Sequence, residues 1–175
     1  MPISDSERIL TVLAEQIERS CGLISHMVDD DVEWVDSLDE ADALASRMRG
    51  IFVATLVGQI EEETGKGFTS IIEELPDLVT APKSLHWFES MPATSTLQGR
   101  AKVMWAIRLA FTHSNSVLKK IKNKDAHHSL EKDFRNQHFE GIEIQNDRIE
   151  LSSRITFAAL KSAVAILEQL RVELK

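Results

Sequence analysis

The chain has 175 residues, of which 43% are hydrophobic and 27% charged, which fits one domain with a real core rather than a disordered or fibrous chain. Its net charge of -8 argues against a general nucleic-acid coat, and its single cysteine, Cys21, excludes an intrachain disulfide framework and a Cys-based metal site. The longest apolar runs are too short to span a bilayer, and Met1 to Glu7 lacks the basic start and apolar core of a signal peptide, so a cytoplasmic protein without a membrane partner is expected.

Helix signals dominate. Ser4-Asp5-Ser6-Glu7 has capping-box spacing and precedes Ile9, Leu10, Leu13 and Ile17 at helical intervals, predicting a first helix to about Met27. Asp29-Asp30-Asp31 interrupts the pattern. With Glu33 it lacks the twelve-residue frame of a calcium loop and reads as a solvated turn. Ser37-Leu38-Asp39-Glu40 is a second capping box. Leu44, Met48, Ile51, Phe52, Thr55, Leu56 and Ile60 then form one stripe on a long helix to about Thr64, closed by Gly65-Lys66-Gly67. Those glycines do not make a phosphate loop, because the spacing that ends in Lys-Ser/Thr is missing.

Residues 65–94 read as a connection with short helical pieces, one capped by Ser70-Ile71-Ile72-Glu73, and punctuated by Pro76, Pro82 and Pro92. Ser95-Thr96-Leu97-Gln98 opens a helix over about 96–113, and its stretch 103–111 is apolar nearly all round, as in a central buried helix. A basic segment follows, with Lys119, Lys120, Lys122 and Lys124. Gly141 to Gln145 and Arg148 to Ser152 alternate with period two around Asn146-Asp147, the signature of a hairpin with a two-residue turn. A last helix spans about Ser153 to Leu174, with Ile155, Ala159, Ala163, Ile166 and Leu170 on its apolar stripe.

One charge interrupts the central apolar helix. Arg108 lies between Ile107 and Leu109, and His113 follows where the apolar run stops. An Arg in such a setting is costly unless an anion pairs with it. Two partners fit. One is a phosphate, held by the planar guanidinium while His113 moves a proton near neutral pH. The other is a carboxylate of the long helix, Glu61 or Glu62, in which case truncating Arg108 leaves a buried partner charge unpaired and costs about 3 kcal/mol or more. Charge is distributed unevenly around this point. Residues 1–99 carry 6 basic and 19 acidic side chains, whereas residues 100–138 carry 9 basic and 3 acidic. Such a local field attracts anions even on an acidic protein, although charge runs are more often a solvated helical face.

The remaining chemistry-bearing residues are less specific. His127 and His128 are adjacent rather than at helical spacing, so with Asp133 and His138 they read as exposed polar residues, not as a metal site. Trp34, Trp87 and Trp105 have faces on which bases can stack, but Trp105 sits in the apolar helix and reads as packing. Cys21 lies in the first helix without a cysteine-protease context. No cofactor or metal is implied.

The order of parts resembles the HEPN superfamily of small helical proteins: a long helix through Phe52 to Glu62, a helix ending in Arg-x4-His, a basic turn, a small hairpin and a C-terminal helix. Arg108-Leu109-Ala110-Phe111-Thr112-His113 fits the family motif, and His113-Ser114-Asn115-Ser116-Val117-Leu118 resembles the segment after the family His. The resemblance covers about residues 38–174. It implies a mainly α, HEPN-like helical bundle with one short β-hairpin before the C-terminal helix. Residues 1–36 then form an N-terminal helix and acidic turn, and 37–175 the HEPN-like domain, in one compact unit.

Many members are metal-independent endoribonucleases, often toxins or defence proteins, in which the motifs of two subunits meet in one cleft. The resemblance thus implies a homodimer, an RNA substrate cut to a 2',3'-cyclic phosphate, and an antitoxin or other protein partner. It assigns catalysis to Arg108 and His113, phosphate contacts to Ser114 and Asn115, and the RNA backbone to Lys119, Lys120, Lys122 and Lys124. Helix geometry agrees with a composite site, since five residues turn a helix by about 500°, leaving the two side chains about 140° apart. Leu109 departs from the family, which commonly has Asn, Asp or His after the Arg. That departure favours the alternative, a non-catalytic HEPN-like interaction scaffold for a protein or nucleic-acid partner.

Overall fold

The computed structural model describes residues 5–29, 38–77, 96–122, 124 and 141–173. Within them the order is α1 (Asp5–Asp29), α2 (Leu38–Thr64), α3 (Phe68–Glu74), α4 (Leu97–His113), a 3-10 turn (Leu118–Lys120), β1 (Ile142–Gln145), β2 (Arg148–Leu151) and α5 (Ser153–Glu173). The protein is a mainly helical bundle with a short antiparallel hairpin before its last helix. No helix of the described residues is long and apolar enough to cross a membrane. Asp30, Asp31, Glu33, Trp34, Trp87, His127, His128, Asp133 and His138 lie outside the described residues, as do the capping residues Ser4, Ser37 and Ser95.

Helix α2 is the hub, packing against α1, α4, α5 and β2. The expected stripe on it needs correction. Phe52, Leu56 and Ile60 are fully buried, together with Val53 and Val57, but Ile51 is 52% exposed and Thr55 also faces outward. The buried arc is rotated because α2 must serve three helical neighbours rather than one. Helix α4 is central as its composition requires. Val103, Met104, Ala106, Ile107, Ala110 and Phe111 are buried, and Trp105 and Leu109 pack against the same core. On α5, Ile155, Ala159, Ala163, Ile166 and Leu170 are all in that core.

Thr96, within the expected capping segment, is the N-cap of α4, its hydroxyl accepting from Gly99 N at 3.0 Å. The capping expectation for α3 is corrected. Ser70 lies inside α3 rather than ahead of it, because that helix starts at Phe68 after Gly67. Gly67 has no side chain to offer, and the Phe68 N–H instead donates to Glu61 Oε1 of α2 at 2.9 Å. At the other end, Gln98 Nε2 of α4 donates to Ile72 O and Leu75 O at 3.1 and 3.2 Å. A helix of 7 residues is too short to hold itself, and its neighbours satisfy both ends.

The hairpin turns at Asn146 and Asp147, both with positive φ (49° and 66°), the backbone that lets a two-residue turn follow strand twist. Its register pairs Ile142 with Leu151 and Ile144 with Ile149. The hairpin is pinned to α2 through both backbone polar groups of Leu151. The Leu151 N–H donates to Ser46 Oγ at 2.9 Å, and Arg49 Nη1 donates to Leu151 O at 3.0 Å. Arg49 also grips Glu18 of α1 with two bonds, Nε to Oε1 at 3.1 Å and Nη2 to Oε2 at 2.9 Å. Thr156 of α5 donates its hydroxyl to the same carboxylate. Burial pushes the Arg49 pKa down, but the hydrogen bond and charge of Glu18 outweigh it and the guanidinium is held above its ordinary value.

Cys21 is buried beside this cluster, its Sγ 3.7 Å from Ala45 O, and burial pushes its thiol pKa up, with nearby Arg49 opposing more weakly. A raised folded-state value means that the stabilisation is complete below the thiol's ordinary pKa and is lost as pH rises above it. A thiol reagent at pH 8 is therefore expected to leave the native protein unlabelled and to label one thiol per chain in denaturant. Rapid native labelling would show that α1 opens from α2.

Candidate functional site

The motif residues are split by regular helix geometry. Helix α4 continues without a break through His113, so Arg108 and His113 project about 140° apart within one chain. His113 is exposed in the last turn. Arg108 is half-buried, and its Nη1 donates to Glu61 Oε2 at 2.6 Å. The carboxylate partner anticipated for Arg108 is thus in place, and it is Glu61. Its two oxygens divide their work, one holding Arg108 and the other capping α3.

Arg108 is not the deepest arginine. Its side chain keeps 33% exposure and that of Glu61 30%, whereas Arg100, two turns earlier, is 3% exposed and donates to Ser162 Oγ of α5 at 3.0 Å. Partial exposure corrects the expected cost of truncating Arg108 from about 3 to about 1–2 kcal/mol, since water replaces part of what the pair supplies. Nothing local in the sequence marks Arg100, because it stands before the apolar run, where an exposed first-turn residue is the ordinary expectation.

Ser114 is buried as the residue that ends α4, its N–H donating to Ala110 O at 3.1 Å, so it is not presented to a ligand. Asn115 and Ser116 follow in the left-handed region (φ 49° and 61°), a conformation that Asn tolerates and Ser rarely adopts. The turn is held in place. Ser116 N donates to Ala110 O at 3.0 Å, and Ile149 N of the hairpin donates to Ser116 O at 2.9 Å. Lys119, Lys120, Lys122 and Lys124 are all exposed, and Lys119 Nζ lies 3.5 Å from Asp147 Oδ2 at the hairpin turn. The structure therefore brings Asn115 and the lysine segment to one end of the bundle beside the hairpin, and leaves Arg108 to the Glu61 clamp.

That end also holds two residues not singled out in the sequence. A cavity of about 250 Å³ lies between the first half of α2, the turn after α4 and β2. Arg47 and Arg148 line it with Asn115, Ser116 and Glu150, and residues 43, 44, 46 and 149 complete it. Arg47 and Arg148 are 101 positions apart and carry no motif, so only docking of the hairpin on α2 reveals them. Among the described residues no three His, Cys, Asp or Glu side chains are grouped to hold a metal ion. Comparison with known proteins finds no matching family model, curated protein or solved structure.

Proposed function

We propose that the protein is a non-catalytic HEPN-like helical scaffold that binds RNA through the basic segment after α4. The ion pair between Arg108 and Glu61 carries this reading, because it gives the motif arginine a structural task and explains why Leu109 suffices beside it. Lys119, Lys120, Lys122 and Lys124 supply exposed cations at the end of the bundle where His113 and Asn115 lie. Exposed lysines contact phosphates without reading bases, so binding falls with salt and tolerates sequence changes.

One observation favours a second reading. His113 is exposed at the end of α4, open to the His113 of a second copy. In a homodimeric ribonuclease one imidazole takes the 2'-hydroxyl proton while the other protonates the leaving 5'-oxygen, giving a 2',3'-cyclic phosphate. Arg108 serves such a site only if it leaves Glu61.

Fluorescence anisotropy with a labelled single-stranded RNA, followed by analysis of the RNA ends, separates the readings. The scaffold reading expects saturable binding that weakens tenfold or more when the four lysines become Gln and is unchanged in His113→Ala. It expects no cleavage, and in Arg108→Ala a stability loss of about 1–2 kcal/mol with RNA affinity retained. A cyclic phosphate that disappears with His113→Ala establishes the ribonuclease instead. Absence of RNA binding overturns both.

A further inference from the structure

We propose that the groove between α2, the turn after α4 and β2 is a binding site for a phosphate monoester group, held by Arg47 and Arg148. Both arginines are exposed and line the same concavity. Among the described residues neither is in an ion pair, although Arg49 and Arg108 in the same bundle each grip a glutamate. Two arginines lining one cavity concentrate positive charge there, which the single carboxylate of Glu150 offsets only in part, and planar forks suit the tetrahedral oxygens of phosphate. A monoester carries close to two negative charges at neutral pH, which matches two arginines better than a single carboxylate does.

The rest of the lining fits such a ligand. Ser46 is 5% exposed, and its oxygen accepts the Leu151 N–H, so its hydroxyl keeps one proton to donate. The Asn115 amide adds donors from the rigid turn. Leu44, only partly buried, provides apolar surface for whatever carries the phosphate. The volume, about 250 Å³, lies just below that of sites for drug-sized ligands and suits a phosphate with a sugar-sized appendage. Glu150 places a carboxylate in the same lining. It accepts from a sugar hydroxyl and repels further phosphates, so a monophosphate is favoured over a di- or triphosphate. The same chemistry is presented by a free nucleoside monophosphate and by the 5'-phosphorylated end of an RNA strand.

Calorimetric titration of the full chain tests the site. AMP is expected to bind at one site per chain, adenosine to give no heat, and ADP to bind more weakly than AMP. Arg47→Gln and Arg148→Gln are each expected to weaken AMP binding tenfold or more, and the corresponding Lys variants to lose less. Both positions are exposed, so melting temperatures should match the wild type and report that the variants fold. Replacing Lys119 and Lys120 with Gln should leave AMP binding unchanged, which separates this site from the RNA-binding segment. A short 5'-phosphorylated RNA that displaces AMP far better than its 5'-hydroxyl counterpart identifies an RNA end as the ligand. Equal displacement by the two RNAs, with AMP binding intact, identifies a free nucleotide. Adenosine binding as well as AMP, absence of AMP binding in the wild type, or retained affinity in folded Arg47→Gln and Arg148→Gln proteins overturns the proposal.

Discussion

Glu18→Ala is expected to lower the free energy of unfolding by about 3–5 kcal/mol, the largest effect of any single side-chain truncation considered for this fold. Glu18 and Arg49 retain only 17% and 14% side-chain exposure, so the pair is well withdrawn from water. Removing the carboxylate leaves the Arg49 charge in a buried setting with a single remaining bond, to Leu151 O. It also takes the acceptor from the Thr156 hydroxyl, and Thr156 is fully buried. Three helices and the hairpin lose their shared anchor at once. For a chain of this size the melting temperature should fall by roughly 10 °C.

Denaturant unfolding of Glu18→Ala, Glu18→Gln and the double variant Glu18→Leu/Arg49→Met checks the argument. Gln keeps acceptor and shape but not charge, and should lose less than Ala. The double variant replaces both charges with apolar bulk and should recover much of the loss, because the penalty lies in the orphaned charge rather than in the absent pair. A loss below about 1 kcal/mol for Glu18→Ala would mean that water reaches Arg49 freely and that the cluster is not the anchor described.

Gly50→Ala is expected to cost about 2–4 kcal/mol, although alanine is the better helix former by about 1 kcal/mol. A Cβ at position 50 would stand 2.2 Å from Cγ of Phe111 and 2.3 Å from Cδ1. The Cγ atom is the root of the ring, so a small swing of the side chain does not clear the overlap. Phe111 is buried, and moving it out of the core forfeits packing along α4. Removing the opposing ring together with its Cγ should relieve the clash, so Phe111→Ala added to Gly50→Ala should lose much less than the two single losses together. Additive losses in that double-mutant cycle, or a Gly50→Ala protein as stable as wild type, would contradict the close approach of α2 and α4.

The helices and the hairpin were legible because they are written in local signals. Period-3.6 apolar spacing marks α1 and α5, a capped and nearly all-apolar run marks α4, and alternation around Asn146-Asp147 marks β1 and β2 within a residue or two of their ends. The anticipated partnership of Arg108 was legible too, because a charge in an apolar helix demands an acid and α2 offers adjacent candidates. The rotation of α2 was not. Ile51 looks like a core residue by type and spacing and is exposed, since burial depends on where α1, α4 and α5 arrive. The cap of α3 by Glu61 and the burial of Arg100 against Ser162 are likewise invisible, because each joins residues of different elements.

By itself the sequence determined a helical bundle with one hairpin, the centrality of α4 and the basic stretch that follows it, because hydrophobic periodicity and charge are properties of neighbours in the chain. Only the tertiary structure decided which charges are spent and which are available. Glu61 consumes Arg108 and Glu18 consumes Arg49, while Arg47 and Arg148 are left facing one cavity. The physical reason is that the energy of a charge is set by its surroundings, and here those surroundings come from residues 31 to 102 positions away.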